Sequence, residues 1–310
     1  MYQVAVIGGG PAGVAAAVYA ARKKLKTLLL TEDFGGQSIV SDDIQNWIGE
    51  PHISGFDLAQ KLENHIRSYS DVVDIQVGVR ATAMKKSENG DFFLVECNNG
   101  KTYETETVIL AIGARRRKLG VPGEEKFNGK GVVYCSTCDA PIFSGKRTVV
   151  IGGGNAGLEA VQDLASYASE THLLESGTTL KGDPVTQEAI HNISNFKGVI
   201  LNAEVLEIVG SDFVTGLRYR DKISGEEKNL DVDGVFVEIG SVPNSEIAKD
   251  LVDLNSRGEV IVDSKLGTTS RPGIFAAGDI TDDPYKQNNI STGDGVKAAL
   301  AAYQYILKKK

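Results

Sequence analysis

Apolar residues in this chain come in short runs that stop at glycine. "VAVI" (4–7) is a β-branched run cut off by "GGGPAG" (8–13), after which alanine recurs through "VAAAVYAA" (14–21). Val4 to Ala21 carries no charge and is long enough to be tested as a membrane span. Its four glycines, its proline and the switch from β-branched residues to alanine predict a strand, a tight turn and a helix instead. The same succession returns in "VVIGGGNAGLEAVQDLASYASETHLLE" (149–175), where Gly152, Gly154 and Gly157 stand 144 positions after Gly8, Gly10 and Gly13. An internal duplication of a strand–turn–helix unit therefore organises the chain. Apolar strands ending in a glycine turn follow each copy, "TVILAIGA" (107–114) with Gly113 and "GVFVEIGSVPN" (234–244). "RPGIFAAGDI" (271–280) predicts a buried strand running into Gly278 and Asp279. "FFLVECNNGKTYE" (92–104) alternates and then turns at Asn-Asn-Gly, which makes Cys97 a structural strand cysteine.

Composition narrows the class. A chain of 310 residues is long for one core and suits two domains. The net charge of −8 lacks the basic footprint that nucleic acid or an anionic membrane requires. The basic runs "RRRK" (115–118) and "KKK" (308–310) suit solvated surface. Patterned structure begins at the second residue, where a signal peptide would lie, and with three cysteines the expected location is the cytoplasm.

The duplicated glycines have a chemical purpose. The first permits the sharp turn out of the strand, the second lets backbone N–H groups approach a pyrophosphate, and the third lets the helix pack close. Two such turns, each after a β-branched run and before a helix, predict an α/β chain with two Rossmann-like dinucleotide-binding domains. An acid ends the second strand of each copy, Glu32 in one and Glu175 in the other, placed for a ribose diol. Two dinucleotides imply an electron donor and a relay.

"VVYCSTCDAP" (132–141) supplies a CxxC pair, Cys135 and Cys138. Zinc needs four ligands, yet only Cys97 and four scattered histidines remain. A structural disulfide closing so short a loop adds little stability in a reducing compartment. Redox exchange is the reading that suits the spacing, with zinc and an inert bridge as the alternatives.

The order GxGxxG, "GGQ" (35–37), "NWIG" (46–49), "AIGA", "CSTCD", GxGxxG, "EIGSVPN", "AAGD" resembles the low-molecular-weight thioredoxin reductase family over essentially the whole chain. The second half, in "SGKRTVVIGGGNAG", "THLLES" and "DDPYKQ", is closer still to the flavoprotein component of alkyl hydroperoxide reductase, whose additional N-terminal thioredoxin-like domain is not among these residues. The resemblance implies FAD on the first copy, with Gly36, Gln37, Asn46 and Gln287 around the flavin and Asp279 at the ribitol. It implies a discontinuous FAD domain, 1–115 and 247–310, and an inserted pyridine-nucleotide domain, 116–246, with Gly152, Gly154, Asn155, Gly157 and Glu175 at the nucleotide. It further implies Cys138 nearest the flavin, Cys135 as interchange thiol and Asp139 as the acid–base group. A homodimer, rotation of the inserted domain on its two hinges, and a separate thioredoxin- or glutaredoxin-like protein as substrate complete the expectation.

One stretch departs from the family. Reductases of this kind that use NADPH carry arginines after the second strand of the second copy, whereas this chain has "LLESGTTLKGD" (173–183), with Glu175, Ser176, Gly177 and a single Lys181. A carboxylate there suits the ribose hydroxyls and repels a 2′-phosphate, so NADH is the expected donor. The alternatives are a ferredoxin- or deazaflavin-dependent reductase with a vestigial nucleotide site, an oxygen-dependent dithiol oxidase, and a redox sensor.

Overall fold

The computed structural model of the chain describes residues 1–41 and 43–309, so Lys310 of the terminal basic run lies outside the described residues. The first leg of the chain runs β1 (Tyr2–Ile7), α1 (Pro11–Arg22), β2 (Thr27–Thr31), α2 (Gly55–Arg67), β3 (Val73–Val77), β4 (Ala81–Lys86), β5 (Phe93–Cys97), β6 (Thr102–Leu110) and β7 (Ala114–Arg116). The middle leg runs β8 (Val132–Val133), α3 (Ser136–Asp139), β9 (Arg147–Ile151), α4 (Asn155–Leu164), β10 (Glu170–Leu174), α5 (Pro184–Ile190), β11 (Phe196–Ile200), β12 (Ala203–Gly210), β13 (Val214–Asp221), β14 (Glu227–Leu230), β15 (Gly234–Val237) and β16 (Ser241–Pro243). The last leg adds β17 (Ile274–Ala276) and the long α6 (Asn288–Lys309).

Two compact units result, one from Met1–Arg115 with Val242–Lys310 and one from Arg116–Ser241. The sequence placed the return crossing at 246/247. Contacts place it five residues earlier, because β16 has already paired with β7 and the Asn244 amide donates to the Gly113 carbonyl at 3.0 Å.

In the first unit, parallel strands run in the order β3-β2-β1-β6, and the nine-residue β6 is used twice. Its first half pairs antiparallel with β5, which carries β4 beyond it. Its second half pairs parallel with β17, through Ile274↔Val108 and Ala276↔Leu110. Buried Val, Leu and Ile residues cover both faces of this sheet, one packed by α1 and α6 and the other by β4, β5 and residues 247–262. On one face α1 meets α6 through small residues, Ala12, Ala16 and Ala20 against Gly295, Ala298 and Ala302. A methyl group on Gly295 would overlap the Ala12 carbonyl oxygen, so the two helix backbones touch there.

The second unit repeats the plan. Its parallel sheet has the order β11-β10-β9-β15-β8, and β12-β13-β14 form a separate antiparallel sheet. Strand for strand, β9, β10, β11, β15 and β8 take the places of β1, β2, β3, β6 and β17. The fifth strand reaches that position from opposite sides of the sequence: β17 follows the insertion, whereas β8 precedes the second glycine turn.

The third glycine sets the spacing of helix and strand in both units. A methyl group at Gly13 would overlap the carbonyl oxygen of Gly8, and one at Gly157 would overlap that of Gly152. At Gly154 a methyl group would meet open space. Gly13→Ala and Gly157→Ala are therefore expected to lower stability by roughly 1–3 kcal/mol through enforced backbone displacement, while Gly154→Ala leaves thermal unfolding nearly unchanged. Melting of the three variants beside the parent protein checks this ordering.

Candidate functional site

Both glycine turns have the backbone that their sequence requires. Gly8 and Gly152 sit at φ +116° and +122°, a region that disfavours side chains, and their amides donate to Leu30 and Leu174 at 2.8 and 2.9 Å. Gly10 and Gly154 precede α1 and α4 in extended conformation, leaving the first amides of each helix directed outward. Among the described residues, the nearest atom to a methyl group built on Gly10 is the Cα of Gly36, at 3.8 Å. Each turn thus leaves an open space of the kind that suits a phosphate group and that larger residues would fill. Asn155, the first residue of α4, accepts the Asp183 amide through its Oδ1 at 2.7 Å.

The two acids that end the second strands differ by one position. Ile7 pairs with Leu30 and Ile151 with Leu174, so Glu175 occupies the position of Thr31 and Glu32 that of Ser176. One residue of displacement along a strand reverses the face to which a side chain points. Glu175 is 8% exposed, and its two oxygens accept the amides of Gly153 and Gly177, both at 2.6 Å. Glu32 lies largely in solvent, 3.9 Å from Arg80.

At the carboxyl end of the first unit's sheet, residues far apart in sequence converge. Gln37 Nε2 donates to Asp279 at 3.4 Å, Ser291 Oγ donates to the other oxygen of Asp279 at 3.1 Å, and Asn46 Nδ2 donates to Gln287 at 3.2 Å. Gly36, Gly113 and Gly278 adopt positive φ around this group, and Gly113 faces open space. Amide, hydroxyl and carboxylate groups gathered beside an open glycine turn suit the ring edge and sugar hydroxyls of a flavin dinucleotide. The residues present therefore fit FAD.

The CxxC occupies the matching place in the second unit. Val133 pairs with Phe236 and Phe275 with Ile109, so Cys135 corresponds to Ala277 and Ser136 to Gly278. The same sheet edge that presents Asp279 in one unit presents the cysteines in the other. Cys135 and Cys138 form a disulfide with Cα atoms 5.3 Å apart, and the Asp139 amide donates to the Cys135 carbonyl at 3.0 Å. Burial raises the Asp139 carboxyl to a pKa of about 6, opposed by the charge of Arg116.

Two further acids hold the loop between the cysteines, and neither was singled out from the sequence. Glu238 Oε1 accepts the Ser136 amide at 3.1 Å. Asp163 accepts the hydroxyls of Ser136 and Thr137 at 2.7 and 3.3 Å. Burial pushes Glu238 up to about 7, opposed by Arg116 and the Ser136 amide and reinforced by the charges of Asp139 and Asp163. One signal was available: "EIG" in the second copy stands where the first has "AIG". Asp163, on a helix with ordinary spacing, gave none. Among the described residues no cluster of three or more His, Cys, Asp or Glu could hold a metal, and no helix is long and apolar enough to cross a membrane. Cys97 is free and buried in β5, and burial raises its thiol.

Comparison with known proteins agrees with this arrangement. The profile of the pyridine nucleotide-disulphide oxidoreductases matches residues 2–304. The chain is 46% identical over 308 residues to an NADH dehydrogenase of Bacillus subtilis (strain 168), covering 99% of this chain and 59% of that protein. It is 45% identical over 310 residues to the F component of the alkyl hydroperoxide reductase of Pseudomonas aeruginosa, covering 99% and 58%. The chain thus spans less than three-fifths of the length of these curated relatives. A thioredoxin reductase structure from Streptococcus pyogenes superposes with a TM-score of 0.90 at 32% identity, covering 99% of each chain. That of T. acidophilum does so with 0.66 at 37% identity, again covering 99% of each. Two Rossmann-like units, a redox-spaced cysteine pair and these matches place the chain in the pyridine nucleotide-disulphide oxidoreductase family, within its thioredoxin reductase-like branch.

Proposed function

We propose that the chain is an FAD-dependent disulfide reductase that draws electrons from NADH and delivers them, through Cys135 and Cys138, to a thioredoxin- or glutaredoxin-like protein disulfide. The observation that carries this reading is the closed Cys135–Cys138 bridge at the sheet edge of a unit that also holds an open dinucleotide cradle. Bound FAD would supply a two-electron relay between the nicotinamide and that bridge. The proposed holders are Gly8, Gly10 and Gly13 for its pyrophosphate, Glu32 for its ribose, Asp279 for its sugar-alcohol chain, and Gly36, Gln37, Asn46, Gly113, Gly278 and Gln287 around its ring. The names of the relatives, an NADH dehydrogenase and a component of alkyl hydroperoxide reductase, support the donor and suggest that the acceptor feeds a peroxide-reducing protein.

The donor preference rests on Glu175. Its carboxylate lies beneath the Gly153 and Gly177 amides, the place that a 2′-phosphate would have to approach. Lys222, a basic group at this loop, is directed instead to the carbonyl oxygen of Ser176 at 2.6 Å. Gly152, Gly154 and Gly157 would receive the NADH pyrophosphate; Asn155, engaged with Asp183, would shape the loop.

Once the bridge is reduced, the Cys135 thiolate attacks the target disulfide. A new sulfur–sulfur bond forms, the target bond breaks, and the departing sulfur takes a proton. Asp139 is the proposed source of that proton. A carboxyl with a pKa of about 6 retains a usable proton near neutral pH, which an ordinary aspartate does not.

Anaerobic addition of NADH to the FAD-loaded protein is expected to bleach the flavin and open the Cys135–Cys138 bridge, with oxidised thioredoxin restoring the colour. Bleaching by reduced ferredoxin alone would overturn the donor, and bleaching by a small dithiol with electrons passing to oxygen would overturn the direction. Ser176→Arg is expected to shift the NADPH-to-NADH ratio of kcat/KM by about tenfold toward NADPH, which equals about 1.4 kcal/mol.

Asp139→Asn is expected to slow protein-disulfide reduction by about a hundredfold or more. The same variant changes stability in a defined sense. The folded chain holds the Asp139 proton more tightly than the unfolded chain does, so this contribution is complete below pH about 4 and is lost as pH rises through about 6. Asp139→Asn should therefore melt progressively higher than the parent as pH is raised from about 4.5 to about 7.5, and thermal denaturation across that range measures it.

A further inference from the structure

The duplication provides an internal control for Glu238. Leu110 and Val237 pair with Ile7 and Ile151 respectively, so the next residues, Ala111 and Glu238, are equivalent. Ala111 is 7% exposed and packs among Ala12, Val14 and Ala277, as the site beneath a glycine turn demands. Glu238, in the same place, is 9% exposed and is a carboxyl. Burying a carboxyl costs free energy and fills no space that alanine leaves badly packed in the other copy. A reason specific to the second copy is needed, and its hydrogen bond supplies one.

The amide that Glu238 accepts at 3.1 Å belongs to the peptide joining Cys135 to Ser136. That N–H belongs to the residue that directly follows Cys135. A thiolate is stabilised by neighbouring donors and opposed by neighbouring negative charge. Ionised Glu238 does both harms to a thiolate at Cys135: it occupies the adjacent amide and places a like charge beside it. Protonated Glu238 removes the like charge, and its carbonyl oxygen accepts the amide more weakly than a carboxylate does.

We propose that Glu238 is a positioning residue of the redox pair which shares one proton with the Cys135 thiol. In the reduced protein the proton passes from sulfur to the carboxylate, leaving Cys135 as thiolate and Glu238 neutral; no electrons move and the charge of the pair is unchanged. The carboxyl therefore sets the pH at which the attacking thiolate appears. The groups facing it are Arg116 from β7, which draws Glu238 toward ionisation, and Asp139 from α3 and Asp163 from α4, which oppose it. Asp163 is engaged by the Ser136 and Thr137 hydroxyls, so the carboxyl in hydrogen-bond contact with the cysteine peptide is that of Glu238. Burial dominates and pushes Glu238 up to about 7, and two groups that share a proton titrate as a pair.

This inference rests on the proposed disulfide exchange, but its test needs neither nicotinamide nor a partner protein. The full chain, reduced with dithiothreitol and desalted under argon, is alkylated with iodoacetamide from about pH 5.5 to about pH 9, and the rate at Cys135 is read by peptide mass spectrometry. The parent protein should show two ionisations in this rate. Glu238→Gln, which keeps an oxygen for the Ser136 amide, should show one, several-fold faster than the parent near pH 8 and equal to it near pH 5.5. A single ionisation in the parent overturns the proposal without reference to any variant. Acceleration by the same factor at every pH also overturns it, because looser packing alone would do that. Failure of NADH to open the bridge would reject the proposed function and leave the alkylation profile untouched.

Discussion

The chemistry of this chain depends on how closely a helix can approach the strand before it. Gly13 lies against the Gly8 carbonyl and Gly157 against that of Gly152, with no room for a methyl group in either contact. That approach aims the first helical amides outward at the carboxyl edge of a parallel sheet. Parallel strands all end on that edge, so whatever follows β6, β17, β15 or β8 arrives beside a glycine turn. Asp279 and Cys135 are brought to corresponding places by this geometry, although one follows the insertion and the other lies within it.

The two units show what divergence on one scaffold looks like. In the first, the positions around the turn hold small or neutral residues, Thr31, Ala111 and Ala277. In the second, the same positions hold Glu175, Glu238 and Cys135. Backbone hydrogen bonds and strand order are retained, as in the corresponding bonds from Gly8 to Leu30 and from Gly152 to Leu174. The second unit has therefore taken on buried acids at sites where the first has apolar or neutral packing. Each acid has an amide partner, which is the condition for tolerating a carboxyl in such surroundings.

Acidity at the CxxC is a product of that arrangement. Asp139 on α3 and Glu238 just after β15 both feel the cation of Arg116, whose charge lowers but does not cancel the effect of burial on them. Carboxyls held near neutrality can keep or release a proton in the range where thiols do the same. A dithiol site needs that, because every exchange moves protons along with sulfur–sulfur bonds.

Much of this was legible along the chain. Both glycine turns, the strands that end beside them, and the CxxC are local patterns, since a tight turn and a β-branched run write their own sequence. Glu175 in place of basic residues was visible for the same reason. That Glu175 is buried while Glu32 lies in solvent was not legible, because burial depends on what packs over the end of a strand. Glu238 and Asp163 escaped notice because their significance lies in contact with Ser136, 102 and 27 positions away. Sequence determined which backbone turns exist and which chemistry they carry; the tertiary structure alone decided which carboxyls share a site, since proton affinity is set by what surrounds a group and not by what precedes it in the chain.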